Sequence, residues 1–116
     1  MNTEIFKSWT TANILNVSIS QLYGLVEIAF FDEQMSRYLQ EKRYSTKDIA
    51  LLKLAHDVHK QLRWPFQKQT EFFRKLKKYG EGTILLRFNG ESHQITLKTD
   101  SAVLWVEKRI NEIRGK

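Results

Sequence analysis

The sequence predicts an α+β fold, mainly helical, that closes with a β-hairpin and a final helix. Three observations predict it. Two capping signals, at Ser18 and Ser45, each open an apolar stretch of helical period. A single proline, Pro65, divides the helical middle of the chain. Beyond Gly82 the apolar period falls from helical spacing to alternation, and it returns to helical spacing after Asp100.

The elements follow in order. A short helix fits from about Thr11 to Leu15, and Asn16-Val17-Ser18 reads as a tight turn. Ser18 caps a second helix running to about Ile28, with Gln21 three residues on to complete a capping box. Arg43 and Tyr44 end a strand or extended arm. Ser45 caps a third helix, and Asp48 places an acid against its positive end. Ile49, Leu52, Ala55 and Leu62 recur on that helix. Pro65 breaks it near Leu62 or Arg63 and opens a fourth helix to about Lys78. Phe66, Thr70, Phe73 and Leu76 share one face of the fourth helix, and most of its lysines and Arg74 lie elsewhere. Glycine at position 80 ends it.

Residues 83–88 and 93–98 read as two strands about a four-residue turn, Asn89-Gly90-Glu91-Ser92. That turn pairs Phe88 with His93, Leu86 with Ile95 and Ile84 with Leu97. The resulting apolar face needs a cover, because an isolated hairpin is marginal in water. The expected cover is a helix from Asp100, which can cap it, to Arg114. Val103, Val106, Ile110 and Ile113 form its stripe, widened by Leu104 and Trp105. The chain thus divides into residues 1–79 and a hairpin-plus-helix element, 80–116, that could serve dimerisation. Trp9, Trp64 and Trp105 read as core or subunit contacts.

With 116 residues and 41% hydrophobic content, the chain can bury a real core. It has no cysteine, which excludes disulfides, thiolate metal sites and a cysteine nucleophile. No apolar run approaches the ~20 residues of a membrane span, and the N-terminus lacks a signal-peptide pattern, so no membrane contact and a cytoplasmic location are expected. Charge is uneven. Residues 1–34 hold one base and four acids, residues 35–79 twelve bases and four acids, and residues 80–116 six bases and five acids. The positive middle favours a polyanionic partner.

The helix–turn–helix order, Asn16-Val17-Ser18 at the turn and Arg43-Tyr44-Ser45 with Asp48 at the start of the third helix, resembles the MerR family of winged helix-turn-helix proteins. The resemblance covers about Phe6 to Lys78 and includes Trp64-Pro65-Phe66, where the family has a loop. It implies a DNA-binding transcriptional regulator or accessory protein that acts as a homodimer on double-stranded DNA. The second helix would enter the major groove with Ser18, Ser20, Gln21 and Tyr23, and Arg37, Lys42, Arg43 and Lys47 would hold the backbone from the wing. For Tyr23 a core position is the competing reading. The chain departs from the family in its recognition helix. An arginine and two tyrosines are usual there, whereas Tyr23, Gly24 and Leu25 stand here. Asp32 and Glu33 at the wing tip would repel phosphate, and no heptad run follows to pair subunits as a coiled coil.

The missing arginine leaves a second reading open. His56 to Pro65 resembles the third helix and tryptophan–proline exit of short MerR-like modulators that bind J-domain co-chaperones. That implies a protein-interaction module with a partner at Trp64 or on the final helix. Catalysis finds little support: there is no nucleophile elbow and no phosphate-binding glycine loop. His56 and His59, three apart on a helix, lack a third nearby ligand and read as solvated or packed side chains. No cofactor or metal is expected.

Overall fold

A computed structural model describes residues 4–30, 43–62 and 64–115. The stretch read as the wing, with Asp32, Glu33, Arg37 and Lys42, lies outside the described residues. So does Arg63.

The fold is α+β, with five helices and two small antiparallel sheets among the described residues. A short strand β1 (Ile5–Lys7) leads directly into α1 (Ser8–Leu15), so that helix begins three residues before the Thr11 expected from sequence. The left-handed turn after α1 falls on Asn16 (φ 56°, ψ 49°), whose amide bonds back to the carbonyls of Ala12 and Asn13. Asparagine tolerates this conformation better than other side chains do. Helix α2 (Ile19–Ala29) follows after two more residues, and its capping box is complete.

Strand β2 (Arg43–Ser45) pairs antiparallel with β1 in the register Ile5–Ser45, Phe6–Tyr44, Lys7–Arg43. With period-2 alternation, Phe6 and Tyr44 face inward and are buried, whereas Ile5, Lys7 and Arg43 are exposed. Helix α3 (Thr46–Leu62) starts at once, with Ser45 and Asp48 exchanging reciprocal capping bonds of 3.0 and 3.1 Å. Helix α4 (Phe66–Tyr79) ends at Gly80 in the left-handed region, φ 76°. It buries Gln69, Thr70, Phe73 and Leu76, so the expected stripe turns slightly and leaves Phe66 exposed.

The hairpin differs from its expected register. Strands β3 (Glu81–Phe88) and β4 (Glu91–Lys98) are joined by two residues, not four, and pair Ile84 with Ile95 and Leu86 with His93. The cause is Asn89-Gly90: both take positive φ, 51° and 82°. That is the mirror-image turn whose twist matches paired strands. The register moves by two residues, an even shift, so Ile84, Ile95 and Leu97 keep their predicted face.

The final helix α5 (Thr99–Arg114) also departs from expectation. Lys98 stands at its cap with no side-chain bond, and Asp100 lies in the first turn instead. The helix does not cover the hairpin. It lies mainly along α3, with a lesser contact to α1, and buries Ala102, Val106 and Ile110. Arg109 Nε donates to the Ile14 carbonyl at 3.3 Å, fastening α5 to the last turn of α1, and Arg114 pairs with Glu4. Among the side chains described, Ile84 at mid-strand and half-buried Leu97 anchor the hairpin to the body. All of β4 other than Leu97 is exposed. No described helix is long and apolar enough to cross a membrane.

Candidate nucleic-acid interface

Helix α2 presents Ser20, Gln21, Gly24 and Glu27 to solvent and buries Leu22, Leu25, Val26, Ile28 and Ala29. The exposed positions recur at three- and four-residue spacing, which makes them one face. That face carries no base and one acid.

Two of the residues expected to read DNA are already engaged. Ser18 Oγ accepts from the Gln21 amide at 3.1 Å, and Gln21 Oε1 accepts from the Ser18 amide at 2.9 Å. A glutamine reading adenine uses its carbonyl oxygen and its amide nitrogen together. Here the oxygen holds the cap, leaving the Nε2 donor and the Ser18 hydroxyl proton for an incoming acceptor. A ligand meeting this face would have to offer hydrogen-bond acceptors, and bidentate contact to adenine would break the cap. Tyr23 is half-buried and packs against the core, in line with its competing reading.

The positive charge lies beside α2's partner helix. Lys7 and Arg43 stand opposite each other across β1 and β2, at the entrance to α1. Like charges in that position destabilise a sheet unless an anion joins them. The start of α1 has no side-chain cap, so its free amides add to the same positive region. Lys47, in the first turn of α3, is exposed nearby in sequence. Lys7, Arg43 and Lys47 form no ion pair among the described residues. Of the eight residues expected to touch DNA, Ser18, Ser20, Gln21, Arg43 and Lys47 are exposed, Tyr23 is half-buried, and Arg37 and Lys42 lie outside the described residues.

Sequence reading missed Lys7, and of the two places it gave Trp9, core or subunit contact, the structure excludes the core. Trp9 is 79% exposed on α1, one turn from Asn13, and is no core residue. Helix α1 turns Ser8, Thr11, Ala12, Ile14 and Leu15 inward, and Trp9 lies with Thr10 and Asn13 on its outer side. Lys7 was concealed because a three-residue strand is too short for alternation to register.

Two further features frame the interface. Helix α4 is the most basic element, with five bases against one acid. Lys68 Nζ lies 4.8 Å from the Trp64 ring centroid and Lys77 Nζ 5.4 Å from that of Phe30, so part of that charge rests on aromatic faces. Between α2 and α3 lies a groove of about 660 Å³ lined by Gln21, Gly24, Leu25, Ile28, His56, His59 and Phe66, among others. No side chain fills it at position 24, where an added Cβ would meet nothing within 4 Å. No group of three metal-ligating side chains occurs among the described residues. Comparison of the chain with protein-family models, with curated proteins and with solved structures gives no match.

Proposed function

We propose that this chain is a DNA-binding protein, a transcriptional regulator or an accessory factor, built on a MerR-like winged helix-turn-helix and acting on double-stranded DNA as a homodimer. The observation that carries this reading is the Lys7–Arg43 pair at the uncapped start of α1. In helix-turn-helix docking the first helix crosses the phosphate backbone while the second enters the major groove. Two opposed cations and free helix amides at the start of α1 suit a phosphate there. Ser18, Ser20 and the Gln21 amide nitrogen would then meet groove edges, and Trp9 would lie against the sugar–phosphate chain.

With no base on α2, most of the affinity comes from backbone neutralisation, and sequence preference is modest. Fluorescence anisotropy of a labelled duplex, titrated over a range of salt, tests this. Each phosphate contact removed should flatten the log–log salt slope by about 0.9. Lys7→Ala and Arg43→Ala should each do so on any sequence. An unchanged slope in both variants would sink the backbone model.

A second reading rests on the groove between α2 and α3. Its open floor at Gly24 and its apolar wall of Leu25, Ile28 and Phe66, with Glu27 and Lys60 balanced at the rim, suit a protein segment better than a phosphate. A protein-interaction module on the same scaffold, such as a modulator of a J-domain co-chaperone, would use that groove. It would be insensitive to Lys7→Ala and Arg43→Ala, and would lose binding when a bulky side chain replaces Gly24.

A further inference from the structure

Strand β4 is eight residues long and, among the described residues, has one hydrogen-bonded neighbour, β3. The two-residue turn makes Phe88 and Glu91 the closing pair, and hydrogen-bonded pairs then alternate along the ladder. The N–H and C=O groups of His93, Ile95 and Leu97 therefore point toward β3. Those of Ser92, Gln94 and Thr96 point outward along an open edge.

Proteins protect such an edge with a central charge, a proline or a bulge. β4 has none of these: its only formal charges are Glu91 and Lys98, one at each end. Ile95 sits at mid-strand and is 41% exposed, beside its buried cross-strand partner Ile84. Within β4 only Leu97 is partly covered, and a further strand along its edge would steady the hairpin.

We propose that the open edge of β4 pairs antiparallel with the same edge of a second copy, with Ile95 on the two-fold axis. An antiparallel partner that is β4 itself keeps the two Glu91 ends apart and the two Lys98 ends apart, whereas a parallel one would set like charges together on the same face. A two-fold axis normal to the sheet keeps each residue on its own face. With Ile95 at that axis, Gln94 and Thr96 exchange hydrogen bonds across it, and Ile95 meets its own copy in a close, non-hydrogen-bonded pair. Ile84 and Ile95 of both copies then form one apolar row across a four-stranded sheet. The interface gives the two-fold partner of the proposed function a location.

The chain lacks cysteine, so a single introduced thiol reports the pairing without background. Ile95→Cys should cross-link to a covalent dimer under mild oxidation, because close antiparallel pairs fall within the Cα separation a disulfide needs. Leu85→Cys is the control. Leu85 is 59% exposed, but it lies on β3, where three strand spacings, about 14 Å, would separate the copies. Gln94→Pro removes an outward N–H while sparing the β3 ladder, so it should leave the far-ultraviolet circular dichroism unchanged and yield a monomer by sedimentation. Equal cross-linking of both thiols, no cross-linking of either, or a dimer that survives Gln94→Pro would each overturn the proposal. These readouts need no DNA, so this interface and the DNA reading can fail separately.

Discussion

In the proposed DNA reading Gln21 couples stability and recognition in one side chain, and the two roles can be pulled apart. Glutamate also completes a capping box, and its charge suits the positive start of α2. Gln21→Glu should therefore unfold in urea within about 0.5 kcal/mol of the wild type. It replaces the free Nε2 donor with an anionic oxygen, so affinity for duplex DNA should fall by roughly ten-fold or more. Ser18→Ala gives the converse: it removes the cap and should cost about 0.5–2 kcal/mol of stability. Duplex affinity unchanged in Gln21→Glu would remove Gln21 from the interface. Tyr44 makes a different residue-scale prediction. Burial pushes its phenol above the ordinary 10.0, while Ser8, close by but without a hydrogen bond of good geometry, opposes the shift. The folded state thus holds the phenol proton more tightly than the unfolded chain does. That stabilisation is complete below the unfolded pKa and is lost as pH rises through the raised folded value. Between about pH 9 and pH 11 the urea midpoint of Tyr44→Phe should decline less steeply than that of the wild type.

Gly82 governs how the hairpin is set on the body. A Cβ built there would come within 2.6 Å of the Phe72 ring. That ring meets Trp64 edge-on at 5.7 Å and Phe73 at 5.5 Å, so yielding to a methyl group would disturb both contacts. Gly82→Ala should cost about 1–3 kcal/mol by overpacking, more than the roughly 0.5–1 kcal/mol that alanine returns in backbone entropy. Urea denaturation decides the sign, and a stabilised variant would mean that the ring moves aside. The glycine also illustrates what sequence can and cannot convey. Local chemistry was legible: both serine caps, the left-handed stops near Asn16 and at Gly80, and the break at Pro65 lie where short-range signals put them. Each depends on side chains within a few residues. The hairpin register was read wrongly because the Asn-Gly turn signal was spread over four residues, when two suffice. The destination of α5 was not legible at all. A wide apolar stripe states how much surface is to be buried but not against which neighbour, and α3 offered a longer apolar face than the hairpin did. Among the site residues, exposure followed from helical period, whereas Lys7 gained its place only from a pairing with β2 nearly forty residues away.

At the scale of the whole molecule, the position of α5 decides whether the chain behaves as one unit or two. A boundary near residue 80 would make residues 80–116 a separable appendage, able to melt while the helices before it stay folded. The packing argues otherwise. Val106 and Ile110 belong to one buried cluster with Phe6, Leu15 and Leu54, which joins the first strand, α1, α3 and α5. The two ends of the chain are tied as well, by Arg114 with Glu4 and by Arg109 with the end of α1. Ile110 is only 4% exposed, so Ile110→Ala should leave a cavity and cost about 2–5 kcal/mol. For a domain of ordinary stability that is a large part of the total. Because the cluster spans the supposed boundary, the loss should fall on the whole chain. Helical circular dichroism and tryptophan fluorescence should then shift together to one lower midpoint, as a two-state unit requires. The fluorescence draws on Trp64 and Trp105, which lie on opposite sides of residue 80, and Trp9 adds a signal from α1. A variant in which the fluorescence transition precedes the helical one would restore the two-part division. It would also mean that the proposed DNA surface on β1, α1 and α2 could persist without its final helix.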